Sequence, residues 1–152
     1  MREILFRAKT KNSGRWAYGD LVTQRYNSRQ GIHIYEKNDK MQSGYQFVRI
    51  DKKTICQYTG VKDKNNKEVY DGDIIYLEEE HLYGKVCWEN LRWYVYWYGW
   101  IDKEGLGIVY DIVNENPLSD ELLTSEDKIW VAVVGNIYDN PEMLKGENLY
   151  DY

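Results

Sequence analysis

An all-β chain is expected, and three observations carry the expectation. Aromatic residues make up 15% of the 152, nearly all Tyr and Trp against two Phe, and flat rings suit a pleated, half-buried surface. Apolar and polar residues alternate at period two through much of the chain, and no long stretch of the first half repeats at 3.6. Turn-forming clusters such as Lys11-Asn12-Ser13-Gly14, Lys37-Asn38-Asp39-Lys40 and Asp71-Gly72 break those runs at short intervals. Two prolines and 30% charged residues argue against disorder. The length fits one ordinary domain or two small β modules.

The elements follow in order. Residues 3–9 alternate, with Ile4, Phe6 and Ala8 on one side. Arg15–Val22 reads as the returning strand and Gln24–Gln30 as a loop. Gly31–Glu36, Tyr45–Ile50 and Thr54–Tyr58 are three more strands. Gln57–Ile75 then reads as a joint: strand-like to Gly60, a polar turn at Asp63–Asn66, extended again at Val69, and a sharp turn at Asp71-Gly72. Asp73–Leu77 leads to a solvated hairpin tip at Glu78–His81, and Gly84–Trp88 resumes the sheet.

Arg92–Trp100 is the densest segment. Trp93, Val95 and Trp97 fall on one face; Tyr94, Tyr96, Tyr98 and Trp100 fall on the other. A half-exposed strand normally keeps one polar face. This one has none, so both faces should be covered. Gly107–Val113 is a further strand. Asn114–Lys128 departs from strand pattern, and Ser119 is a candidate cap for a short helix or irregular insert near 118–127. Ile129–Ile137 is apolar and β-branched, as a central strand should be. Asn140-Pro141-Glu142 starts a single turn closing on Met143 and Leu144, and 146–152 should be a flexible tail.

Charge divides the chain. Residues 1–65 carry a net +8, residues 66–112 a net −6 and residues 113–152 a net −7. Two β units are therefore expected, a basic one over 1–62 and an acidic, aromatic one over 63–145. No apolar run approaches the ~20 residues that cross a bilayer. Arg7 interrupts the only apolar stretch near the start, so no signal peptide and no membrane partner are expected. Cys56 and Cys87 should be reduced, buried thiols in a cytoplasmic protein.

Three blocks of residues carry a resemblance. Arg2-Glu3-Ile4 with Phe6-Arg7-Ala8 opens the chain. Gln57-Tyr58-Thr59-Gly60 through Gly72-Asp73-Ile74 occupies its middle. Val134-Gly135-Asn136-Ile137-Tyr138 with Asn140-Pro141-Glu142 lies near its end. Together they resemble the YopX family, small proteins of phages and prophages found mainly in Gram-positive bacteria. The resemblance implies an all-β fold whose second unit, 63–145, is an SH3-like barrel, and a bacterial host cytoplasm as the setting. It supplies no catalytic residues.

Chemistry-bearing clusters are sparse. Asp71 and Asp73 flank a glycine, which is turn chemistry before it is a carboxylate pair. His33, His81, Cys56 and Cys87 lack the paired spacing of a zinc site. There is no phosphate-binding loop, nucleophile elbow or metalloprotease motif. No catalytic residue, metal or cofactor is expected, and the chain reads as a non-enzyme. The row Tyr94, Tyr96, Tyr98 and Trp100 is the candidate protein interface, in a homo-oligomer or against a host or phage protein. The alternative is an accessory nucleic-acid binder using the basic half, through Arg7, Lys9, Arg15, Arg25 and Arg29 among the rings of Trp16, Tyr18 and Tyr26. The opposite charges of the two halves can also satisfy each other, within one chain or head-to-tail in a ring.

Overall fold

A computed structural model describes residues 3–24, 31–103, 107–118, 124–125, 128–129 and 131–145. The described chain is all-β, with antiparallel sheets of six, five and two strands and two single turns of 3-10 helix. It divides into two compact units, residues 1–60 and 61–152.

The first unit contains β1 (Phe6–Lys9), β2 (Trp16–Gln24), β3 (Gly31–Lys37), β4 (Tyr45–Arg49) and the start of β5 (Cys56–Lys62). Their order in the sheet is β4-β3-β2-β1-β5. The inward face is small and apolar: Ala8 pairs with Ala17, and Ile34 and Ile50 complete the buried set. Phe6, Leu21, Val48 and Ile55 pack around them. β2 exchanges partners at Gly19, pairing with β1 up to that residue and with β3 from Asp20 onward. A Cβ on Gly19 would lie 2.1 Å from the Tyr35 carbonyl oxygen, so only glycine lets the strands approach there. The strand expected from Thr54 begins two residues later. Asp51 caps a 3-10 turn over Lys52–Thr54, accepting from the Lys53 N–H at 3.0 Å. Thr54 Oγ1 in turn accepts from the Lys9 N–H at 2.8 Å, which ties the turn to β1.

The second unit contains β6 (Glu68–Tyr70), β7 (Asp73–Leu77), β8 (Leu82–Glu89), β9 (Arg92–Lys103), β10 (Gly107–Pro117) and β13 (Val131–Asn136). A two-stranded ribbon, β11 (Thr124–Ser125) with β12 (Lys128–Ile129), precedes β13. The five-stranded sheet runs β10-β9-β8-β7-β13, so the last strand returns beside the first. Its core is Val69, Ile75, Val86, Trp93, Val95, Trp97 and Val131. Gly84 makes room for it: a Cβ there would meet the Val95 side chain at 2.5 Å and the Trp97 ring at 2.8 Å.

Among the described strands no sheet is closed. Two expectations need correction. β10 continues through Asn114 to Pro117, where irregular chain was expected. A register shift between Ile112 and Asn114 absorbs the pattern break, and an end strand tolerates the proline. β13 lies at the end of the sheet instead of its centre. Its outer side is met by the Asp63 turn: Val131 O accepts from the Lys64 N–H at 3.0 Å, and the Val133 N–H donates to Asp63 Oδ2 at 2.8 Å. That cover explains how an apolar strand can sit at an edge. The helix expected at 119–123 and the tail at 146–152 lie outside the described residues.

Candidate functional site

The residues that carry the family resemblance act as fasteners. Asp63, 1% exposed, accepts three backbone N–H groups: Asn65 and Lys67 on Oδ1 and Val133 on Oδ2, each at 2.8 Å. Asp73, fully buried, accepts the Tyr70 N–H at 2.7 Å across the turn whose Gly72 has φ +75°. The Ile137 N–H donates to the Gly72 carbonyl at 2.9 Å, so the middle and final blocks meet. Asn136 Oδ1 accepts the Tyr138 and Asp139 N–H groups at 3.0 Å, and a Cβ on Gly135 would strike the Asn140 side chain at 2.6 Å. Asp73 is therefore committed to the turn, as its spacing from Asp71 around Gly72 predicts.

β9 separates its rings as period two requires. Trp93, Val95 and Trp97 are buried in the core. Tyr94, Tyr96 and Tyr98 lie half-buried on the opposite face, and Trp100 is 45% exposed. Among the described residues, the inner aromatic face is buried and the outer one is partly exposed. Cross-strand register adds partners to the outer face. Ala132, Tyr76, Tyr83, Tyr98 and Ile112 stand opposite one another in turn across all five strands. Residues directly opposite share a face, so one apolar row crosses the whole sheet. The Tyr76 and Tyr83 ring centroids are 5.0 Å apart. Tyr76, Tyr83 and Ile112 were missed in the sequence because pairing, not local pattern, brings them to this row.

Acids fringe these rings. The Tyr96 hydroxyl donates to the Glu89 carboxylate. That bond pushes the Tyr96 phenol well above its ordinary pKa, with further upward pressure from burial and from the charges of Glu89 and Glu115. Burial first, then the nearby Cys87 and Asp111, raises Tyr98. Cys87 is half-buried and its thiol is pushed up mainly by burial; Cys56 is buried, and both cysteines are free. Among the described residues no group of three or more His, Cys, Asp or Glu side chains is placed to hold a metal ion.

The basic candidates are scattered by the fold. Arg7, 5% exposed, lies over the Trp16 ring at 4.6 Å, and the Lys9 ammonium lies 5.6 Å from the same ring. These are cation–π contacts, and the first leaves little guanidinium for a phosphate. Arg15 forms a two-pronged bond with Glu36, one contact at 3.1 Å. Arg15 draws the Glu36 carboxyl below the ordinary range, against the opposing effect of burial. Arg25 and Arg29 lie outside the described residues.

A second aromatic face occurs on the β3–β4 hairpin. His33 stands opposite Arg49, Tyr35 opposite Phe47 and Lys37 opposite Tyr45. The Tyr35 ring lies 5.0 Å from Tyr45 and 4.7 Å from Phe47. These side chains line an open groove of about 470 Å³.

The YopX protein family profile matches residues 5–145. No curated protein matches the chain. Among solved structures, protein EF1440 from Enterococcus faecalis is similar in fold, with a TM-score of 0.51 at 20% identity. The match covers 95% of this chain and 99% of that one. Among the described residues, no helix is long and apolar enough to cross a membrane.

Proposed function

This chain belongs to the YopX family, and from that premise we propose that it is a non-enzymatic phage or prophage accessory protein. It works in the bacterial host cytoplasm through contact with other proteins, first of all with copies of itself. One observation carries the reading: the outer row of Tyr94, Tyr96, Tyr98 and Trp100 continues across the sheet through Tyr83, Tyr76 and Ile112 and stays partly exposed in the single chain. Large aromatic rows of this kind are the usual anchors of protein interfaces. The occupant is a second copy. Glu89, Asp111 and Glu115 border the rings, and every copy also carries residues 1–65 with their net +8. Opposite charges on two parts of one chain favour head-to-tail association. The strand order β10-β9-β8-β7-β13, with the last strand beside the first, supports an SH3-like meander as the scaffold.

Light scattering tests the reading. The wild type should exceed monomer mass, and should hold at about 0.5 M salt, where exposed charge pairs are largely screened. Tyr96→Ser with Trp100→Ser should give monomers. An unchanged mass in the double variant would overturn the assignment.

A second reading, accessory nucleic-acid binding by the first unit, is favoured by one observation. Arg49, Lys11 and Lys53 line adjoining depressions next to the exposed rings of the β3–β4 hairpin.

A further inference from the structure

We propose that the outward face of the β3–β4 hairpin binds single-stranded nucleic acid, with bases stacked on Tyr45 and Phe47 and phosphates led past Arg49 toward Lys11 and Lys53. The proposal rests on the second reading above and gives it a site.

The rings are placed for stacking instead of core packing. The buried side of the hairpin is Ile34 and Val48; its other side carries Tyr35, Tyr45 and Phe47. Tyr35 lies between the other two, tilted 20° from Tyr45 and 36° from Phe47. Tyr45 and Phe47 keep 45% and 38% of their surface exposed, so each offers ring surface to a ligand. A base on an aromatic face is stabilised whatever its identity, because every base has a π face. The groove of about 470 Å³ is the right scale for one nucleotide unit.

Charge selects the ligand. Among the described residues that line the groove, Arg49 is a cation and none is a carboxylate. Phe47 and Arg49 also border a second depression, which reaches Thr10 and Arg15. Thr10 borders a third, lined by Lys11 and Lys53 with Asp51 as its one acid. The three depressions therefore share residues and form a track from rings to cations. Arg15 contributes least, because Glu36 already holds its guanidinium. An apolar peptide could use the rings but not the row of cations leading away from them, and an acidic peptide could use the cations but brings no planar bases to the rings. A polyanion with planar bases uses both. A strand suits the track better than a duplex, whose bases are already stacked on each other and closed to the rings.

Fluorescence anisotropy with the full chain and a labelled single-stranded thymidine 12-mer at about 50 mM salt tests this. The wild type should bind. Tyr45→Ala with Phe47→Ala should weaken binding by at least about tenfold. Arg49→Gln should weaken it less and reduce the slope of log affinity against log salt by about 0.7. Circular dichroism checks that the variants fold; if the alanine pair does not, Tyr45→Leu with Phe47→Leu keeps apolar bulk while removing the rings. No binding by the wild type overturns both the site and the second reading. Binding that folded ring variants leave intact overturns the site and leaves the broader reading standing. Equal affinity for a duplex, or full competition by thymidine monophosphate at matched nucleotide concentration, overturns the single-strand assignment.

Discussion

The outer face of β9 and the outward face of the β3–β4 hairpin are built alike and edged differently. Both set Tyr side chains on the side of a strand that turns away from its own core. On β9 the edging is acidic, and Glu89 takes the Tyr96 hydroxyl. On the hairpin Arg49 lines the groove beside the rings, and Lys37, paired with Asp39, stands opposite Tyr45. Rings supply contact area to any partner; the charges beside them decide which partner can come close. If the proposed readings hold, a polyanion would be repelled from β9 and drawn to the hairpin.

Several changes would break or sharpen this contrast. The largest effect should come from the inner side of β9. Trp97→Ala empties a core position and should cost the second unit about 3–5 kcal/mol, whereas Tyr98→Ser on the outer side should cost about 1 kcal/mol; urea denaturation separates the two. Reversing the edging is next. Glu89→Lys with Glu115→Lys should weaken self-association on light scattering at low salt and raise oligonucleotide affinity by about tenfold, since each cation near the rings adds a phosphate contact.

A smaller effect should appear with acid. The folded state lowers the pKa of Glu36, chiefly through Arg15. Its stabilising contribution is complete above the ordinary carboxylate value of about 4.3 and is lost as pH falls through the lower folded value. Glu36→Gln should flatten that part of the acid dependence of the first unit's urea midpoint. The smallest change is confined to one phenol. Glu89→Gln should move the Tyr96 titration down toward the ordinary value of about 10, read by NMR on the ring.

Local chemistry was legible. The turns at Asp63–Asn66, Asp71-Gly72 and Glu78–His81 need only residues adjacent in sequence, and they fall where glycine, asparagine and acid clusters place them. The two faces of β9 follow from alternation alone. What stayed hidden depends on distant partners. β13 reads as central because Val131, Val133 and Val134 look like core; its edge position follows from pairing with β7 and from cover supplied by Asp63. Arg7 reads as a surface cation until Trp16 is set beneath it. Tyr35 and Phe47 belong to different strands, and only the register makes them neighbours.

Asp63 and Val133 are joined across 70 residues, and that span orders events during synthesis. The first unit is complete in sequence by Gly60 and can begin to fold as soon as it leaves the ribosome. The second must wait for nearly the whole chain, because its earliest turn is finished by its last strand. A message truncated before Val131 would thus leave the Asp63 turn without its Val133 partner and β7 without its β13 neighbour.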